Sequence, residues 1–218
     1  MRKTIFAASC VLLVIFFLLA SAYYKKQRVA ELGFMAQKNA ATFVREHSPA
    51  LGEDDAKVYL VKFTDPACET CAAFSDFVKE GMRAYPGKIK LVIRYAPFHE
   101  GADEVVKILE AARKQGKFWE TLETLYKFQG YWTHHHQVQL QEVWKFLPEL
   151  GLDVARIKRD MNDPEIAKII AQDLADAQTL NVQKTPGFFV NGKPLEPFGA
   201  QQLQELIVAE IKAKYPSP

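Results

Sequence analysis

Phe63-Thr64-Asp65-Pro66-Ala67-Cys68-Glu69-Thr70-Cys71 is the stretch on which the reading of this chain turns. It completes an apolar run, Val58-Tyr59-Leu60-Val61-Lys62-Phe63, with the makeup of a buried strand, and it opens a helical pattern of about 15 residues. Two thiols at this spacing at a helix start can close a disulfide and open it again, and a helix N-terminus favours the thiolate. The same spacing also serves as half of a zinc site, which needs two more ligands nearby, or as a structural staple. No second cysteine pair exists, and a bridge around two intervening residues gains little from loop entropy. Dithiol redox chemistry is the leading reading.

Ahead of this stretch lies a second informative segment. Met1-Arg2-Lys3 precedes an uncharged run from Ile5 to Ala22, followed by Tyr23-Tyr24-Lys25-Lys26-Gln27-Arg28. A run of this length just spans a bilayer, while Ala20-Ser21-Ala22 also fits the rule for signal cleavage. The expectation is an exported chain, anchored in the inner membrane by residues 5–22 or released after cleavage near Ala22, and so periplasmic or extracytoplasmic. Cys10 lies inside the run and reads as a small membrane-buried residue. Without Arg2 and Lys3 the 28 basic residues fall to 26 against 26 acidic ones, so no nucleic-acid surface is indicated.

Along the rest of the 218 residues, 29–47 read as a helix, 48–55 as a loop, and 57–63 and 89–95 as strands. From about Ala102 to Leu180 the pattern is helical, broken at Gly130, Gly151 and Asp163-Pro164. Gly187-Phe188-Phe189-Val190 resumes strand character, Asn191-Gly192 signals a hairpin returning over 193–195, and 201–214 close the chain as a helix. The order predicts an α/β fold: a small mixed sheet with one parallel crossover and an antiparallel hairpin, interrupted by an all-helical insert.

With this order, the Cys68-Glu69-Thr70-Cys71 stretch and Thr185-Pro186-Gly187-Phe188-Phe189-Val190-Asn191-Gly192, the chain resembles the DsbA-like thiol oxidoreductases of the thioredoxin superfamily. The resemblance covers about residues 55–214. It implies a thioredoxin fold over 55–100 and 181–215, a helical insertion over 101–180, a helical spacer over 25–54, and a signal peptide or anchor over 1–24. It further implies Cys68 as the exposed nucleophile and Cys71 as its buried partner, with a Cys68-Cys71 disulfide in the oxidised form. Pro186 would be cis beside the dithiol, and Thr185 would offer its backbone to an extended client chain. The chemistry would be thiol:disulfide exchange with unfolded or thiol-bearing clients, served by a membrane redox partner, with no cofactor and no metal.

Two departures from the family bear on thiol reactivity. Glu69 and Thr70 stand where strongly oxidising members carry a proline and a basic residue, so an acid beside Cys68 is expected to oppose its thiolate and give a weaker oxidant. Lys62 stands where many thioredoxin-like proteins hold a buried acid; it either steadies the thiolates or lays its stem on the core and its ammonium in water. A reductase or isomerase of the same fold, and a holdase or Cu(I) carrier gripping metal with the two thiols, are the alternative readings. His134-His135-His136 reads as a polar loop more readily than a metal site, His99 as a possible border of the dithiol, and the aromatics of the insert as core.

Overall fold

The computed structural model describes residues 42–135 and 137–216, together with 13–21, 23, 24 and 27. In chain order its elements are β1 (Ala50–Leu51), β2 (Val58–Thr64), α1 (Glu69–Ala84), β3 (Ile89–Tyr95), α2 (Ala102–Arg113), α3 (Phe118–Lys127) and α4 (Gln129–Trp132). There follow β4 (Thr133–His134), β5 (Gln137–Val138), α5 (Leu140–Val143), a 3-10 turn at Pro148–Leu150, α6 (Val154–Asp160), α7 (Pro164–Thr179), β6 (Gly187–Val190), β7 (Lys193–Pro194) and α8 (Ala200–Lys214).

Five strands form one sheet in the order β1-β3-β2-β6-β7, with β2 central. It runs parallel to β3 and antiparallel to β6, the latter with Phe63 opposite Gly187 and Lys62 opposite Phe188. Both faces of β2 are covered, which is why its sequence is almost continuously apolar. Val58 and Leu60, with Ile89, Leu91 and Ile93 of β3, pack against Cys71 and Val78 of α1 and Leu203 and Ile207 of α8. Val61 and Phe63, with Val92 and Phe189, pack against Phe43 and against Ala177, Leu180 and Val182 at and beyond the end of α7. At the hairpin, Asn191 (φ 49°) and Gly192 (φ 80°) are both left-handed, the conformation a two-residue turn of this twist requires.

The strands expected from the hydrophobic pattern are present, and three small ones are added. β1 lies in the stretch read as a loop and pairs antiparallel with β3, Ala50 opposite Val92. β4 and β5 form a two-stranded ribbon inside the helical block, Thr133 opposite Val138. Both are too short to carry a period of their own. Most of the helix expected over 29–47 lies outside the described residues; 42–49 are not α-helical, and Phe43 is buried on the sheet. Residues 13–21 are helical with exposed apolar side chains, and the rest of the apolar leader lies outside the described residues. Among the described residues no helix is long and apolar enough to cross a membrane.

A buried ionic cluster ties α7 to the sheet. Arg94 of β3, fully buried, donates from Nε and Nη2 to Asp173 Oδ1 at 2.9 and 2.7 Å and from Nη2 to Asp176 Oδ2 at 2.5 Å. Asp173 also accepts from the Tyr95 amide at 2.7 Å and pairs with His47, while Arg45 reaches Asp176 with two hydrogen bonds of 2.8 Å. Burial raises the Asp176 carboxyl, but Arg45 and Arg94 outweigh it and hold the group below its ordinary range. The Asp176 contribution to stability is therefore present at neutral pH and lost as pH falls through the carboxylate range. Asp173→Ala leaves Arg94 buried without its main partner and should cost ~3–5 kcal/mol of unfolding free energy. Urea denaturation checks this; an unchanged midpoint would show that the cluster carries no stability.

Candidate active site

The chain leaves β2 at Thr64 and turns through Asp65-Pro66-Ala67 into α1, with Cys68 as its N-cap residue in extended conformation (φ −82°, ψ 117°). The buried carboxylate of Asp65 shapes this turn. Its Oδ1 accepts from the Ala67 amide at 2.8 Å, and its Oδ2 accepts from the amides of Phe98 and His99 at 2.7 and 2.8 Å and meets His99 Nδ1 at 2.7 Å. One side chain thus joins the turn after β2 to the loop after β3. The helical block supplies two more supports: Gln129 Nε2 donates to the Pro66 carbonyl at 2.6 Å, and the Tyr126 hydroxyl bonds Thr64 Oγ1 at 2.6 Å.

Cys68 and Cys71 are both free thiols, Cys68 7% exposed and Cys71 fully buried. Cys68 Sγ lies 3.3 Å from the Thr185 carbonyl oxygen, and the Thr185-Pro186 bond is cis. The two sequence stretches that pointed to this chemistry, 117 residues apart, therefore meet at one sulfur. Gly187 follows because nothing larger fits: a Cβ there would lie 2.7 Å from Val182 Cγ1.

The two thiols are unlike. A hydrogen bond from the Cys71 thiol, opposed by burial and supported by the Thr185 side chain and the Cys71 amide, draws the Cys68 thiol down to about 5. Burial, together with the bond it gives to Cys68, pushes Cys71 well above the ordinary thiol range. Cys68 is the group that ionises. The acid that works against it is buried Asp65, not Glu69, which is solvent-exposed on the first turn of α1. The expected opposition from Glu69 is thus supplied by a different carboxylate, because side-chain direction at a helix start turns Glu69 to water.

Lys62 does not reach solvent. It is 2% exposed, donates to the Cys71 carbonyl at 2.8 Å, and stands 5.1 Å from the centre of the Tyr126 ring. Burial lowers its ammonium to about 8 against the pull of both thiols. Thr70 borders a groove of about 600 Å³ with Lys184, Thr185, Pro186, Leu195 and Phe198, the last half exposed. His99 stands at this end of the sheet on Asp65. His134 and His135 lie on the small ribbon and after it, His136 lies outside the described residues, and among the described residues no cluster of three metal-ligating side chains occurs. Asp65, Tyr126 and Gln129 escaped the sequence reading; the only sign of Asp65 was its place two residues before Ala67 in the turn.

A family model described as thioredoxin matches residues 44–209. Among solved structures, a thioredoxin-like oxidoreductase from Silicibacter pomeroyi DSS-3 is 30% identical with a TM-score of 0.69, over 80% of this chain and 98% of that one. Oxidised BdbD from Bacillus subtilis is 26% identical with a TM-score of 0.67, over 76% and 93%. The thiol-disulfide exchange protein α-DsbA2 from Wolbachia pipientis, at 17% identity and a TM-score of 0.70 over 84% and 97%, shares the fold. The Na(+)/H(+) antiporter NhaA of Herminiimonas arsenicoxydans is 30% identical over 144 residues, 66% of this chain and 22% of that protein. The chain spans about a quarter of the length of the curated relatives it matches.

In the reduced protein, iodoacetamide should modify Cys68 alone at neutral pH, with a midpoint near pH 5, and Cys71→Ala should move that midpoint upward by removing the donor. Because the folded value lies below the unfolded one of about 8.5, the thiolate stabilises the reduced fold above the unfolded value. That stability is lost as pH falls toward about 5. Thermal melting of reduced wild type against Cys68→Ser across this range reads the difference, and parallel curves would refute the assignment.

Proposed function

This chain belongs to the thioredoxin family, among its DsbA-like thiol:disulfide oxidoreductases, and on that premise we propose that Cys68 and Cys71 are its redox pair and that it exchanges disulfides with protein thiols outside the cytoplasm. The observation that carries the reading is the contact of Cys68 Sγ with Thr185 O at 3.3 Å, at the mouth of a groove and at the start of a helix. An extended client segment lies in that groove with its backbone along Thr185 and Pro186, a mode of recognition indifferent to side-chain sequence. Its disulfide or thiol then comes within reach of Cys68.

In the oxidising direction, a client thiolate attacks the Cys68-Cys71 disulfide at Cys68, the outer sulfur, and Cys71 leaves. A second client thiolate attacks the client sulfur of the mixed disulfide and Cys68 leaves as the thiolate, its most stable form. In the reducing direction Cys68 attacks the client disulfide and Cys71 resolves the intermediate. The depressed Cys68 thiol stabilises the reduced protein, which favours oxidation of clients. The carboxylate that opposes the Cys68 thiolate is buried Asp65, and the thiol is depressed in spite of it. Lys62 and Thr70 complete the site, the first as a cation beneath the thiols and the second on the groove wall.

The exposed apolar helix over 13–21 supports export, with residues 5–22 anchoring the chain or leaving as a signal peptide after Ala22. A membrane-bound redox partner would then restore the working state of the thiols. Cys71→Ala should hold a reduced, unfolded client in a disulfide with Cys68, seen as a thiol-sensitive adduct by mass spectrometry. No adduct, with copper retained stoichiometrically by wild type, would turn the reading to a metal carrier. Equilibration with glutathione then fixes the direction: a potential near that of protein oxidants supports client oxidation, and one near thioredoxin's supports reduction.

A further inference from the structure

A ridge of three residues, Asn181, Val182 and Gln183, joins the end of α7 to the segment that brings Thr185 and Pro186 to Cys68. It borders two recesses. One is the groove beside Thr70 and Phe198; the other, with about 200 Å³ of room, is walled by Leu174 and Ala177 of α7 and by the ring of Phe98 from the loop after β3. The Phe98 amide is fixed at 2.7 Å on the carboxylate of Asp65, three residues before Cys68, while 46% of the residue is exposed. A large apolar ring is thus held beside the reactive turn and left open to water.

The ridge is held in shape by the way α7 stops. The Leu180 amide bonds the Asp176 carbonyl at 2.9 Å, the Val182 amide bonds the Ala177 carbonyl at 2.8 Å, and Asn181 is left-handed between them (φ 56°). Gln183 Nε2 donates to Asn181 Oδ1 at 3.0 Å, and Val182, 9% exposed, lies so close to Gly187 that its methyl could not move inward past a Cβ. The chemistry of the second recess is simple. Its walls are the apolar side chains of Phe98, Leu174, Ala177 and Val182, its rim is the amides of Gln178, Asn181 and Gln183, and among the described residues no ionisable side chain lines it. The groove beside Thr70, by contrast, includes Lys184 and Glu196. A charged group entering the second recess would lose water and meet no opposite charge, whereas an apolar one is buried at no such cost.

We propose that the recess between Phe98 and the end of α7 is a second client subsite, which takes one large apolar side chain of the same extended segment whose cysteine reacts with Cys68. The inference rests on the reading of Cys68 and Cys71 as the redox pair and of Thr185 and Pro186 as the backbone along which the client lies. Continuity identifies the occupant. A client paired to Thr185 as an added strand advances about 3.3 Å per residue, and Gln183 on the shared ridge is two residues before Thr185. The side chain that meets the recess is therefore two or three residues from the client cysteine, and on one side of it only. Backbone pairing binds any sequence, and a pocket beside it adds preference. Clients are thereby ranked by an apolar residue near the reacting cysteine.

The test uses the oxidised full-length protein and an excess of short peptides of alanine, glycine and serine. Each carries one cysteine and a single phenylalanine, leucine, serine or lysine at one of the three positions on either side of it. Two peptide thiols become one disulfide as the Cys68-Cys71 disulfide becomes two thiols, and the peptide dimer is measured after acid quench. In wild type, phenylalanine or leucine at a position on one side should lower the half-saturating concentration ~10-fold against serine. The limiting rate should change little, because the recess holds the side chain equally before and during exchange. Phe98→Ser alters an exposed side chain and should bring the phenylalanine-to-serine ratio to about one. Gln178→Glu, on the exposed rim, should reverse the ranking at that same position and place lysine above phenylalanine. Equal binding of all peptides, or a phenylalanine preference that both variants keep, would overturn the proposal; the second result would put selectivity in the groove beside Phe198. Dimers of wild type in sedimentation that Phe98→Ser dissolves would also overturn it, giving the recess to a second copy of this chain. If wild type exchanges with no peptide and not with glutathione, the redox reading itself fails and the subsite falls with it.

Discussion

The antiparallel pairing of β6 on β2 is the constraint from which the site follows. With Phe63 opposite Gly187, the chain leaves β2 and enters β6 at the same end of the sheet. The turn that carries Cys68 and the loop that carries Thr185 and Pro186 have nowhere else to meet. Both faces of the sheet are packed, so the register cannot slip by one residue without turning Leu60 and Val61 to the wrong sides. The reactive sulfur is thus located by strand pairing, and the local motif supplies only its chemistry.

The helical block does more than decorate this frame. Gln129 holds the Pro66 carbonyl, and Tyr126 caps Thr64 while its ring lies near the ammonium of Lys62. These are hydrogen bonds made in buried surroundings, where a missing partner costs more than the bond itself contributes. Asp65 completes the arrangement by satisfying three amides and one imidazole with a single carboxylate. The position of Cys68 therefore depends on the loop after β3 and on helices inserted far downstream.

Two buried charge systems in this molecule are treated differently. Arg94 is surrounded by Asp173 and Asp176 and by the Thr42 carbonyl, so its charge is matched on every visible side. Such a cluster fastens the residues before β1 and the helix α7 to the sheet. Lys62, on the opposite face of the same sheet, is matched by a carbonyl, a ring and two ionisable thiols. A charge left to be balanced by groups that titrate is one whose protonation changes with theirs, which is the physical difference between a structural pair and a reactive one.

How much of this was legible beforehand varied with the range of the interactions. Strands β2 and β3, the helix after Cys68, the Asn191-Gly192 hairpin and the closing helix all rest on local periodicity and turn chemistry, and each lies where the pattern placed it. β1 and the β4–β5 ribbon, at two residues per strand, exist through their partners and carry no period of their own. Cys68 and Cys71 announced themselves by spacing, and Pro186 by its Thr-Pro strand start. Asp65, Tyr126 and Gln129 could not, since one acid, one tyrosine and one glutamine become significant only through what they touch. Glu69 shows the same limit in reverse: adjacent in sequence to Cys68, it faces water, while the acid that acts on the sulfur lies three residues upstream and is buried. The sequence by itself determined the pair of thiols, the order of the elements and hence the class of fold. Only the tertiary structure decided which thiol ionises, because burial, a donated hydrogen bond and the side chain of Thr185, far downstream, set the thiol energies, and none of these is a property of neighbouring residues.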